Sequence, residues 1–176
     1  MQFISTWEDP LSERLVYFTP EVLTVFDRFI QGEDEAEAGG ILLGHVRGVH
    51  LEILEATTPT PKDKRLKYFF ERLLHGHQSI AERRWRESNG LVRYVGEWHT
   101  HPEDYPNPSG LDISEWQKLA AARRDGRPLL ATIIGRKSLR VEYMQQDGGR
   151  CRLNPSASSP THLPQTWRST VNAPGS

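Results

Sequence analysis

A chain of 176 residues with 36% hydrophobic and 26% charged residues is long enough for one domain with a sizeable core, and this is the composition of a soluble globular protein. Lys and Arg number 22 against 23 Asp and Glu, a formal charge of -1, so nothing in the overall charge calls for nucleic acid or an acidic membrane as partner. No run approaches the roughly 18 consecutive apolar residues of a membrane span, and no basic-then-apolar leader opens the sequence, so the expected location is cytoplasmic. Cys151 is the only cysteine, which excludes an internal disulfide and leaves any metal to His and carboxylate donors.

In chain order, Leu15 to Phe18 alternates as a short strand, and Thr19-Pro20-Glu21 reads as a helix start with proline at the first helical position. Val22, Val25, Phe26 and Phe29 follow at helical spacing. The acidic run Gly32 to Glu37 leads into Gly39-Gly40-Ile41-Leu42-Leu43-Gly44, an apolar strand bounded by glycines. Leu51 to Ala56 is a second strand of this kind, and Pro59 and Pro61 mark Thr57 to Lys64 as a loop. Tyr68 to Phe70 reads as strand, and Leu73 to Ser88 as a helix stopped by Asn89-Gly90.

Leu91 to Thr100 is the strongest strand signal. A proline-rich loop, Pro102 to Pro108, follows, and a helix starting at Ser109 or Asp112 runs to about Arg124 before Gly126. Leu129 to Ile134 and Leu139 to Met144 form a closing pair of strands. The order mixes strand and helix without the alternation of a doubly wound sheet. From Asn154 the composition shifts to Pro, Ser and Thr, so the expected division is a domain over 1–153 and a disordered tail over 154–176.

The chemistry is concentrated between Gly96 and Asp112. His99 and His101 stand two apart, and on a strand that spacing turns both imidazoles to one face while Thr100 points to the other. Asp112, at the start of the next helix, is a hard oxygen donor that the proline loop can fold back toward the strand end. Two His and one carboxylate leave a fourth tetrahedral position open, the mark of a catalytic zinc. Water there has its pKa drawn toward neutrality, and a nearby carboxylate can take its proton and pass it on. Glu37, just before the Gly-rich strand, is the candidate, with Glu35 as the fallback.

His99-Thr100-His101-Pro102, six spacers, Ser109, two more residues and Asp112, together with the upstream Glu37-Ala38-Gly39-Gly40-Ile41-Leu42-Leu43-Gly44, resemble the JAB/MPN metallopeptidases with the JAMM motif. No position of that motif departs from the family pattern. The resemblance covers about Leu15 to Leu153. It implies an α+β (mixed α/β), cytidine deaminase-like fold with a central mixed sheet flanked by helices. It also implies zinc at His99, His101 and Asp112, Glu37 as general base and acid, and Ser109 as donor to the oxyanion.

Tyr94 to Trp98 before the motif, and Glu103-Asp104 with Pro106 and Pro108 after it, resemble the bacterial branch. That branch includes the deconjugating isopeptidases of CBASS anti-phage operons. The implied substrate is a protein with an extended C-terminal tail, such as a conjugated CBASS nucleotidyltransferase, with neither nucleic acid nor membrane as partner. A peptidase of another ubiquitin-like or sulfur-carrier system, and a non-catalytic scaffold of the same fold, are the alternatives.

Other readings of these residues are weaker. Ser109-Gly110-Leu111-Asp112 also fits a helix capping box, which explains neither histidine. His75-Gly76-His77 is a second His-x-His, but it lies in a helical pattern where the rings diverge and lacks a carboxylate at the corresponding downstream distance. Glu97 and Trp98 read as residues that support the site or pack in the core.

Overall fold

Pro20, with φ preset and no amide to leave unpaired, opens a helix directly behind a strand, and this strand-to-helix step begins the core. The structure, a computed structural model, describes residues 3–156. Its elements are β1 (Thr6–Glu8), β2 (Leu15–Phe18), α1 (Pro20–Arg28), β3 (Gly39–Arg47), β4 (His50–Ala56), β5 (Lys64–Leu66), β6 (Phe69–Glu71), α2 (Leu74–Glu87), β7 (Val92–Thr100), α3 (Gly110–Ala121), β8 (Leu129–Ile134), β9 (Leu139–Met144), β10 (Arg150–Arg152) and β11 (Asn154–Pro155). Among the described residues no helix is long and apolar enough to cross a membrane.

Nine strands form one sheet in the order β10-β9-β8-β7-β3-β4-β2-β1-β11, while β5 and β6 make a separate hairpin. The sheet is mixed: β7 and β8 run parallel, as do β2 and β4, and the remaining pairs are antiparallel. This is the α+β arrangement that the motif implied.

The two faces of the sheet carry separate cores. On one, Val22 and Phe26 of α1 pack with Phe18, Leu42, Ile53, Trp98 and Ile134. The ring of Trp98 lies 5.5 Å from Phe26 and 5.8 Å from Phe29, and its indole N–H donates to Thr57 O at 2.9 Å, so a large buried ring keeps its one polar group satisfied. On the other face, Trp116 and Ala120 of α3 pack on Leu129, Ala131, Ile133 and Met144. Strand β7 lies between the two cores, with Trp98 and Thr100 turned to α1 and His99 to α3, 6.2 Å from the Trp116 ring.

Three strands lie outside the sequence expectation. Lys64-Arg65-Leu66 is exposed throughout and has no alternating pattern; β1 and β11 are three and two residues long and are held by their neighbours. Asn154–Pro155 pairs with Trp7 and Glu8, and Ser156 N donates to Thr6 O, so ordered chain continues past Leu153, where the tail was expected to begin. Pro155 fits there because β11 is an edge strand. The remainder of that expected tail, 157–176, lies outside the described residues. The helix expected to reach Arg124 ends at Ala121, and Arg123 folds onto Asp125 at 2.7 Å.

Candidate metal centre and active site

The register between β3 and β7 fixes which residues meet. Gly39 pairs with His99 and Gly40 with Trp98, and Thr100 N continues the ladder by donating to Ala38 O at 2.8 Å. Extending that antiparallel pairing by one step sets Glu37 beside His101. The glycines at 39 and 40 are required by close approach, because a β-carbon at Gly39 collides with the Phe70 ring and one at Gly40 with the Thr57 backbone.

His99 and His101 both lie near the end of β7, and their Nε2 atoms are 3.1 Å apart. Asp112 comes from the first turn of α3 and presents Oδ1 3.2 Å from His99 Nε2 and Oδ2 3.5 Å from His101 Nε2. One donor atom from each of the three residues falls within 4.8 Å of the others, a spacing that a single ion can bridge, and no other such group exists among the described residues. Three nitrogen and oxygen donors converging without a lysine or arginine between them suit zinc, which accepts imidazole and carboxylate together.

Glu37 is buried, with Oε1 4.0 Å from His101 Nε2. Burial raises its carboxyl from 4.5 to about 7; His101 draws it down and Asp112 adds to the rise. Burial also disfavours charge on Asp112, but hydrogen bonds from His101, His99 and Ser109 outweigh it and hold that carboxyl well below its usual range. His101 is the converse: burial opposes its protonation, and Asp112 with Glu37 more than offsets this, raising its pKa. The fallback Glu35 is exposed, and its carboxylate bonds Gly32 N at 2.9 Å.

Ser109 is the N-cap of α3. Its hydroxyl accepts from Asp112 N at 3.2 Å and donates to Asp112 Oδ2 at 2.7 Å, while its own amide reaches Oδ2 at 2.6 Å. The capping box and the donor cluster therefore coexist, because Asp112 uses one oxygen chiefly for each.

These residues line a groove of about 1040 Å³ between the β5–β6 hairpin, through Lys67, Tyr68, Phe69 and Phe70, and α3, through Leu111, Glu115 and Trp116. It is also lined by a half-buried pair that the sequence did not reveal: Arg72 donates to both oxygens of Glu97 at 2.9 Å, and Tyr94 Oη donates to Glu97 Oε1 at 2.6 Å. Burial raises the Glu97 carboxyl against the pull of Arg72. The period-2 rule puts Glu97 on the His99 face, but nothing local pairs it with a residue 25 positions away. His77, of the second His-x-His, is fully buried and bonds Thr57 Oγ1 at 2.6 Å and Asp63 Oδ2 at 3.0 Å, and it is not part of the donor cluster.

The chain matches the family described as prokaryotic homologs of the JAB domain over residues 19–147. It is 51% identical over 149 residues to a protein of Pseudomonas aeruginosa named CD-NTase/cGAS isopeptidase, covering 84% of this chain and 94% of that one. Proteins of the same name from Escherichia coli and Vibrio cholerae are 41% and 37% identical, over 58% and 57% of this chain and 64% and 63% of theirs. The solution structure of DSY2949 from Desulfitobacterium hafniense superposes with a TM-score of 0.56 at 17% identity, covering 78% of this chain and 88% of that one, a likeness of fold. The chain belongs to the prokaryotic branch of the JAB-domain family.

Proposed function

We propose that this chain is a zinc-dependent isopeptidase that hydrolyses the amide joining the C-terminal residue of a CD-NTase to a lysine of its target. The observation that carries the reading is the convergence of His99, His101 and Asp112 with the buried carboxylate of Glu37 4.0 Å from His101, at the bottom of an open groove. The names of the relatives supply the substrate class.

A zinc ion held by the three donors supplies Lewis acidity, acidifying water and polarising the scissile carbonyl. The proton movements belong to the chain. Glu37 removes a proton from the attacking water, and the same carboxyl then protonates the departing lysine amine as the carbon–nitrogen bond breaks. A group whose burial lifts it toward neutrality can do both near pH 7. Ser109, at the groove edge, turns its one hydroxyl proton from Asp112 Oδ2 to the oxygen that becomes anionic when water adds to the carbonyl. The groove accepts an extended tail more readily than a folded surface, and the backbone of the neighbouring hairpin offers it hydrogen bonds.

The test fuses the C-terminal tail of a CD-NTase to a reporter and follows cleavage by mass spectrometry. Cutting at the junction, abolished by chelation and restored by zinc, is expected. Equal cutting at internal bonds of unrelated unfolded proteins would reject deconjugation.

A further inference from the structure

Glu37 lies outside the sheet, two residues ahead of β3, so no ladder fixes its main chain. Both of its backbone groups are taken by one strand of the small hairpin: Glu37 N donates to Leu66 O at 2.9 Å, and Arg65 Nε donates to Glu37 O at 2.7 Å. The same guanidinium reaches Ala36 O at 3.1 Å. Among the described residues Arg65 has no carboxylate partner; this exposed cation is spent on two main-chain carbonyls, where charge strengthens the bond.

A second tie runs through buried Gln31. Its amide donates to Lys67 O at 2.8 Å and Glu35 O at 2.7 Å, and its oxygen accepts from Thr100 Oγ1 at 3.3 Å. Thr100 sits between the two histidines, and its hydroxyl also accepts from Ala38 N at 2.9 Å. The hairpin is therefore bonded to Glu37 and Ala36 directly and to Ala38 by way of Gln31 and Thr100, while the turn and β6 wall the groove through Tyr68, Phe69 and Phe70.

We propose that Arg65 is a positioning residue for Glu37, through which the hairpin that meets the substrate sets the place of the carboxyl that moves the proton. This rests on the proposed peptidase reading. Arg65 neither lines the groove nor belongs to the donor cluster; its removal frees the segment on which the Glu37 carboxylate rides, while the three donors keep their places on β7 and α3. A displacement of about 1 Å at a reacting group costs up to ~100-fold in rate, so the loss falls on kcat.

Two measurements on Arg65→Ala test this. In the zinc-free protein, amide hydrogen exchange should quicken at Glu37 and Ala38 while β3 and β7 keep their protection, since loosening is confined to the loop. Unchanged exchange at Glu37 overturns the proposal whatever the activity. On the fused-tail reporter, kcat should fall by about tenfold or more with KM within about twofold, and millimolar guanidinium or Arg65→Lys should restore part of it. An unchanged kcat, a fall shared equally by KM, or a loss that neither guanidinium nor lysine repairs overturns it as well. Failure of the wild type to cut the reporter rejects the peptidase reading alone, and the exchange experiment still decides the role of Arg65.

Discussion

Asp112 Oδ2 accepts both the amide and the hydroxyl of Ser109, at 2.6 and 2.7 Å, while Oδ1 lies 3.2 Å from His99 Nε2. One carboxylate thus starts a helix and closes a donor cluster. Its cap bonds hold the same carboxylate that the cluster uses, so a change at the cap of α3 bears on the site as well.

Ser109→Ala breaks this arrangement from the cap side. Loss of the N-cap hydroxyl should cost about 1 kcal/mol of stability. If Ser109 also donates to the oxyanion, kcat should fall by about 100-fold, far more than a cap accounts for. Denaturant unfolding and steady-state kinetics read the two effects separately; a kcat loss of only a few-fold removes Ser109 from the chemistry and leaves it as a cap.

His99→Ala and Asp112→Ala should each lose bound zinc, since removal of either leaves only two donors. His77→Ala is the control: it removes a buried bond to Thr57 and Asp63 and should lower the melting temperature while zinc remains near one per chain. Elemental analysis on the three purified variants decides. Full zinc in both ligand variants sinks the site.

Glu37→Gln keeps the shape and the backbone bonds to Arg65 and Leu66 but cannot carry a proton. It should retain zinc and bind the tail while turnover drops to background. Near wild-type cleavage by this variant would show that another group is the base.

The convergence of His99, His101 and Asp112 was legible because two signals agree in a short stretch: His-x-His needs a strand, and Ser-x-x-Asp marks a helix start after six spacer residues beyond Pro102. The fold around it was legible where strands were long and apolar, as in β3, β7 and β8. The hairpin was half seen, since Phe69 and Phe70 signal a strand but the partner Lys64-Arg65-Leu66 carries no alternation and is held by its hydrogen bonds alone. Arg65 and Gln31 escaped for a related reason. Both act on main-chain carbonyls, which every residue has, so no side-chain pattern announces the pairing. Arg72 and Glu97 form an ion pair that only the tertiary register creates.

The last prediction is the pH dependence of the zinc-free protein. Glu37 ionises at 4.5 in the open chain and at about 7 when folded, so between these values the native state holds more protons than the unfolded one. Stability from this group is therefore intact below about pH 4.5, declines as pH rises toward 7, and is flat above it. His101, with a raised pKa, contributes in the same direction: its stabilisation is present below 6.5 and is lost as pH rises through the folded value. Asp112, held low, acts oppositely, with stability present above its ordinary 3.8 and lost only in stronger acid. The comparison of wild type with Glu37→Gln at each pH isolates the first effect. At about 1.4 kcal/mol per pKa unit, discounted for water reaching the groove, the variant should gain about 2 kcal/mol relative to wild type between pH 4.5 and 8. Zinc should erase that gain, because a cation near His101 favours the Glu37 carboxylate and lets it ionise at no cost to the fold. Urea unfolding of both proteins at several pH values, with chelator and then with zinc, reads all three statements. A difference between them that does not change with pH in the zinc-free state would mean that Glu37 is not held in the buried, uncharged form near neutrality.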